Sequence, residues 1–252
     1  MKKALLAVLA CCAVLASTTA CSTNNTGTSS TATSHPATTS SPVSSTVSEM
    51  VNSNYKKPEN ITTADAAITA LTAGNKVFVD GNINITATNA DRQELSKNGQ
   101  KPYAVVITCS DSRVPPELIF NSSLGELFTI RTAGNVVNSF EIGSVEYGVD
   151  HLSTPLVVVM GHTKCGAVAG AIEGHAEGHV EDIIHEILPS VEIARQTTTD
   201  ESQIATLSEN YNVEHSIAKL RESEILSKAE QESKIKIIGA KYDITTGQVT
   251  FL

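Results

Sequence analysis

Tyr103-Ala104-Val105-Val106-Ile107-Thr108-Cys109-Ser110-Asp111-Ser112-Arg113 and, further on, Leu156-Val157-Val158-Val159-Met160-Gly161-His162-Thr163-Lys164-Cys165-Gly166 decide how this chain folds. Each opens with a continuous apolar run rich in β-branched side chains. Each then passes straight into a polar, ligand-bearing segment. Continuous runs of this kind fit strands buried on both faces, the condition of a parallel sheet. Leu127-Phe128-Thr129-Ile130 and Ile235 to Ile238 are two further candidates, and Gln248 to Leu252 adds a last strand after a turn at Thr246-Gly247. Helical patterns lie between them. Val180, Ile183, Ile184, Ile187, Leu188 and Val191 trace one face, with Pro189 placed to bend or break that helix. Residues 203–230 read as further helix. Upstream, Thr62 and Asp65 suit a capped helix start, Ile68, Leu71 and Phe78 follow at helical spacing, and a polar stretch runs from about Gly81 to Asn89. Strands alternating with helices predict an α/β fold with a central, mostly parallel sheet and flanking helices.

Towards the N-terminus the character changes. Lys2 and Lys3 precede an uncharged apolar run from Ala4 to Ala16, and small residues follow from Ser17 to Ala20. That is the layout of a secretory signal peptide over residues 1–20, too short for a comfortable membrane span. Cys21 after Thr18-Thr19-Ala20 resembles a lipobox, with Thr18 where Leu is usual, so lipidation of Cys21 and plain cleavage are both open. Residues 22–54, dominated by Ser and Thr, read as a disordered tether that cannot bury enough surface to offset its ordering entropy. The folded domain is placed at 55–252. These features predict export to the cell envelope, periplasm or extracellular face, with membrane contact only through a lipid anchor.

The formal charge of −9 argues against a nucleic-acid partner or an anionic membrane surface. Of five cysteines, Cys11 and Cys12 lie in the signal and Cys21 at its end, leaving Cys109 and Cys165 for the folded body.

Both of those cysteines follow strong strands, and ligands collect beyond the carboxyl ends of strands in open α/β sheets. Cys109 and Asp111 are two apart, so in extended chain they face one side. His162 and Cys165 are three apart and share a face on a turn or first helical turn. Two thiolates, an imidazole and a carboxylate form a set that zinc accepts, with three ligands in a catalytic site and four in a closed one. A Cys109–Cys165 disulfide in an oxidising compartment is the competing use of the same residues.

Cys109-Ser110-Asp111-Ser112-Arg113 with Val114-Pro115-Pro116-Glu117 resembles the first signature of beta-class carbonic anhydrases, and His162-Thr163-Lys164-Cys165-Gly166 resembles the second. Gly99-Gln100-Lys101-Pro102, Gly125-Glu126-Leu127-Phe128, Arg131-Thr132-Ala133-Gly134-Asn135 and Gly143-Ser144-Val145-Glu146-Tyr147 match as well. The resemblance runs from about Ala64 to the C-terminus. It implies one Zn²⁺ per chain on Cys109, His162 and Cys165, and reversible hydration of carbon dioxide to bicarbonate and a proton by zinc-bound hydroxide. It implies catalytic roles for Asp111 and Arg113, the Arg keeping the Asp from becoming a fourth zinc ligand in a closed state. Gln100, Phe128, Ala133 and Gly166 are the substrate-binding positions it implies. Family members with a bicarbonate-stabilised closed state carry a Trp where this chain has Val106, although Arg131 stands at that pocket's Arg position, so the open, non-allosteric form is expected. A homodimer or larger homo-oligomer is implied, with Gln100 able to serve a neighbour's zinc. His151, His175, His179 and His185 are candidate proton shuttles by their ordinary pKa. Two other functions share these residues: hydrolysis of carbon disulfide or carbonyl sulfide at the same site, and a non-catalytic anchored binding protein.

Overall fold

The computed structural model describes residues 60–252. The signal segment 1–20, Cys21, the tether 22–54 and the first residues of the expected domain lie outside the described residues. Among those described, no helix is long and apolar enough to cross a membrane.

The chain enters through α1 (Ala64–Val79), capped by Thr63, whose hydroxyl accepts from the Ala66 N–H. The cap thus falls one residue beyond the expected Thr62. Then come α2 (Asn89–Asn98), closed by a reciprocal Thr88–Asp91 capping box, and β1 (Ala104–Cys109). A short α3 (Pro116–Ile119) leads to β2 (Leu127–Thr132). Next, α4 (Ser139–Glu146) widens into a π-helical turn over Tyr147–His151 before β3 (Leu156–His162). The remaining elements are α5 (Gly166–Glu173), α6 (Val180–Thr197), α7 (Glu201–Arg221), α8 (Glu224–Gln231), β4 (Lys236–Tyr242) and β5 (Val249–Phe251).

Two sequence expectations are sharpened in this list. Pro189 sits inside α6 without breaking it. The helical stretch expected over 203–230 is formed by two helices, because Ser223 caps α8 by accepting from the Leu226 N–H. The short helices α2, α4 and α5 carry too few apolar residues, or too uniform a set, to show a period.

The sheet order is β2-β1-β3-β4-β5. The first three pairings are parallel and β4–β5 is antiparallel, as expected for a mostly parallel α/β sheet. Strands β1 and β3 are buried along their whole length. Their alternating side chains feed two cores. Ala104, Val106, Val158 and Met160 pack with Ala67, Leu71 and Phe120 on the α1 side. Val105, Ile107, Val157 and Val159 pack with Val213, Ile217 and Leu220 of α7 on the other. Helix α7 lies close because Gly161 and Gly239 stand beneath it: a Cβ at either would come within 2.7 or 2.9 Å of Val213.

From β1 the chain turns one way to β2, and from β3 the other way to β4. The order therefore reverses between β1 and β3, where neighbouring connections leave a crevice at the carboxyl ends. Cys109 ends β1 and His162 ends β3.

Candidate metal centre

The last residue of β1 and the last of β3 bring Cys109 and His162 together, and Cys165 joins them from the N-cap position of α5. Their ligand atoms all lie within 4.8 Å of one another, and all three residues are buried. Both cysteines are free thiols, so the disulfide alternative is not formed. They sit at the edge of a third apolar cluster, with Val168, Ala171, Ile184, Ile187 and Val191 from α5 and α6.

The imidazole is oriented. His162 Nδ1 lies 2.9 Å from the Thr163 carbonyl oxygen, and a carbonyl can only accept, so Nδ1 carries the proton. This leaves Nε2 as a lone pair, buried and without a hydrogen-bond partner. A buried nitrogen left in that state is costly unless something coordinates it. The sulfurs are equally prepared. Cys109 Sγ accepts from the backbone N–H of Gly134 at 3.3 Å and of Asp111 at 3.4 Å. The two thiols are neighbours, and each acts on the other: the adjacent Cys165 thiol holds the Cys109 thiol well below its ordinary range, while the adjacent Cys109 sulfur and burial push Cys165 up. Burial opposes charge on His162, but the adjacent Cys109 sulfur and the Thr163 carbonyl outweigh it and raise its pKa. Sulfurs so close, together with an unpartnered imidazole nitrogen, are the donor set of a soft or borderline divalent ion, and zinc in tetrahedral coordination fits.

Asp111 stands outside this cluster because Arg113 holds it. Arg113 Nε donates to one carboxylate oxygen at 2.9 Å and Nη2 to the other at 2.6 Å, while the Arg113 backbone N–H donates to the first at 2.9 Å. This two-pronged pair keeps the carboxyl well below the usual carboxylate range. Arg113 Nη2 also reaches the Lys164 carbonyl at 3.5 Å, tying the loop after β1 to the loop after β3.

Arg131, expected at an anion pocket, is used on backbone instead. Its Nε donates to the Cys109 carbonyl at 3.1 Å and its Nη2 to the Asp111 carbonyl at 2.6 Å. It therefore fixes the bend that presents both side chains. Val106 is wholly inside the α1-side core.

The expected substrate positions divide into two groups. Ala133 opens the 3-10 turn Ala133–Asn135 whose Gly134 contacts Cys109, and Gly166 opens α5 beside Cys165 with open space where a Cβ would stand. Gln100 and Phe128 are not brought to this chain's own cluster. Gln100 precedes β1, and β1 alone spans about 16 Å from its first residue to Cys109. Phe128 pairs in register with Val105, whereas Cys109 pairs with Thr132, about 13 Å further along β2. The Phe128 ring packs instead against Tyr147, with centroids 6.0 Å apart. His151, His175, His179 and His185 are all exposed.

The sequence reading passed over Glu209, Asn212 and Ser216, three buried polar residues on α7. The signal was there: polar residues at i, i+3 and i+7 occupy a helix face that Val213, Ile217 and Leu220 share.

Residues 104–249 match the family model described as Carbonic anhydrase. Over 103 residues the chain is 48% identical to "Carbonic anhydrase 2" of Mycobacterium tuberculosis, a match covering 41% of this chain and 50% of that protein. The match thus spans about half the length of that relative. Over 164 residues it is 36% identical to the carbonic anhydrase of Pseudomonas aeruginosa, covering 61% of this chain and 74% of that one. Among solved structures it resembles one of two tetrameric beta-carbonic anhydrases from Sordaria macrospora, with TM-score 0.56 and 27% identity over 65% of this chain and 91% of that one.

Proposed function

Because the chain belongs to the carbonic anhydrase family, in its beta class, we propose that it hydrates carbon dioxide reversibly to bicarbonate and a proton, with one zinc ion held by Cys109, His162 and Cys165. The observation that carries the reading is the buried trio itself: two thiols and an oriented imidazole with their ligand atoms within 4.8 Å. Zinc bound there would lower the pKa of a water and so supply a nucleophile at neutral pH.

The rest is the work of side chains on this chain. Asp111, kept ionised by Arg113, is an acceptor only. It takes a hydrogen bond from the attacking water and aims it. Arg113 occupies both carboxylate oxygens and so would keep Asp111 off a bound metal, which Asp111 could join as a fourth ligand only if that pair opened. Ala133 contributes apolar surface and Gly166 a backbone N–H at the first turn of α5. Arg131 keeps the Cys109–Asp111 bend in place.

Gln100 and Phe128 stand at the opposite end of the strands from their own cluster, so we infer that they line the site of a second copy of the chain. Phe140, 86% exposed at the start of α4, gives the homo-oligomer an apolar surface to cover. The tetrameric Sordaria structures support the same reading by analogy. Export through residues 1–20, with Cys21 as a lipid anchor, belongs to this proposal too, and would place the activity in the cell envelope.

Zinc content and stopped-flow hydration of carbon dioxide, measured on the wild type and on Cys165→Ser, test the core of the proposal. One zinc per chain and hydration lost in the variant are expected. A wild type that binds no zinc and hydrates no carbon dioxide overturns it.

A further inference from the structure

Helix α7 contains no expected ligand, yet it bonds to the backbone of Cys165 and to the turn that contacts the Cys109 sulfur. Glu209, Asn212 and Ser216 fall at i, i+3 and i+7, one face of a helix. All three are buried. Glu209 Oε1 accepts from the Cys165 backbone N–H at 3.4 Å, at the residue that starts α5. Asn212 Nδ2 donates to the Gly134 carbonyl at 2.6 Å, and Ser216 Oγ donates to the Asn135 carbonyl at 3.0 Å. Gly134 in turn donates its N–H to Cys109 Sγ at 3.3 Å.

The segment these bonds hold is unusual. Gly134 and Asn135 are both left-handed, at φ 69° and 48°. Gly and Asn are the residue types that enter that region most readily. The Asn212 and Ser216 bonds to their two carbonyls fix the turn in place against α7. Glu209 is itself anchored. Its Oε2 meets Lys241 Nζ at 2.6 Å in a nearly buried pair, and Lys241 also donates to Asn210 Oδ1 at 2.8 Å. This pair holds the carboxylate beside Cys165.

We propose that Glu209, Asn212 and Ser216 form a positioning stripe on α7 that sets the separation and orientation of the Cys109 and Cys165 sulfurs, and so the affinity and geometry of the metal they hold. Asn212 and Ser216 act on Cys109 through the Gly134–Asn135 turn. Glu209 acts on Cys165 through its backbone N–H. Lys241 locks Glu209 from β4. This deepens the metal reading above and rests on it.

Cobalt(II), whose bonds to thiolates absorb in the near ultraviolet and whose coordination number sets its visible bands, is the probe. Two double variants are compared with the wild type under reducing conditions, with folding checked by circular dichroism. Glu209→Met with Lys241→Met removes the ion pair and the acceptor at Cys165. Glu209→Gln with Lys241→Met removes the ion pair and keeps an acceptor. The Met/Met variant should lose about 10–100-fold in cobalt and zinc affinity, the usual effect of losing a residue that orients a ligand, and its thiolate band should shift. The Gln/Met variant should stay within about threefold of the wild type, a rescue that a merely stabilising role does not predict. Wild type binding cobalt with the two variants indistinguishable from it overturns the stripe alone. Wild type that binds no metal overturns the metal reading and the stripe with it. Should the double variants not fold, Ser216→Ala carries the test: weaker cobalt binding with a shifted band is expected, and wild-type affinity and spectrum refute the proposal.

Discussion

Gly134→Ala tests how tightly the turn beneath Cys109 is built. Gly134 sits at φ 69°, where a residue with a Cβ costs about 1–2 kcal/mol. The added Cβ would also lie 2.7 Å from Ile187 Cδ1 and 3.1 Å from Ala167 Cβ. Ile187 is fully buried, so its Cδ1 can yield only by repacking within the core. Overpacking of that kind costs about 1–3 kcal/mol. The smaller entropy of an unfolded chain with Ala in place of Gly returns about 0.4–1 kcal/mol. The net expectation is a loss of about 1–5 kcal/mol, or about 2–18 °C in Tm for a domain of this size. Equilibrium urea unfolding of the metal-free, reduced protein measures it. The steric part can be isolated. Ile187→Val deletes the Cδ1 atom and alone should cost about 0.5–1.5 kcal/mol. The double variant should then be more stable than the two single losses added together, by about 1 kcal/mol, with relief limited because Ala167 remains. A Gly134→Ala protein within about 0.5 kcal/mol of wild type, or strict additivity in the double variant, would refute the reasoning.

Arg113→Gln should return Asp111 towards an ordinary carboxylate pKa and lower hydration by at least about 10²-fold, checked by stopped flow across pH. The sign follows from the depressed value: the wild-type pair contributes fully above the unfolded carboxylate pKa of about 3.9 and fades only as pH falls through the lower folded one, so Asp111 adds no pH dependence between about 5 and 8. In metal-free reduced protein, Cys165→Ala should raise the pH at which Cys109 ionises, because the neighbouring thiol that favours its thiolate is gone; thiolate absorbance during a pH titration reads it. Leu71→Ala, at a wholly buried α1 position, should cost about 2–5 kcal/mol by urea unfolding while leaving zinc stoichiometry unchanged. Cys21→Ala should move the protein from the membrane fraction to the soluble exported fraction, and an unchanged distribution counts against lipidation.

By itself the sequence determined the parallel sheet and the location of its chemistry. Tyr103–Thr108 and Leu156–Met160 are apolar on both alternating sets of positions, and only a strand covered on both faces buries both sets. Because Cys109 directly follows the first run and His162 comes two residues after the second, their place at the carboxyl ends was legible before any coordinates. The helix boundaries were not: Thr63 rather than Thr62 caps α1, and Ser223 divides the long helix, because a cap is chosen by a side chain meeting one particular N–H. Tertiary structure alone decided what supports the site. Arg131 is spent on two carbonyls, Gln100 and Phe128 stand at the far end of the strands from their own cluster, and Glu209, Asn212 and Ser216 bond to the Cys165 backbone and the Gly134–Asn135 turn from a helix that starts well after Cys165 in the chain. Local sequence encodes the ligands, since each sits at the end of a strand or the start of a helix that its neighbours specify. The groups that aim those ligands come from residues distant in sequence, and only the packing of α7 across the sheet brings them within hydrogen-bonding distance.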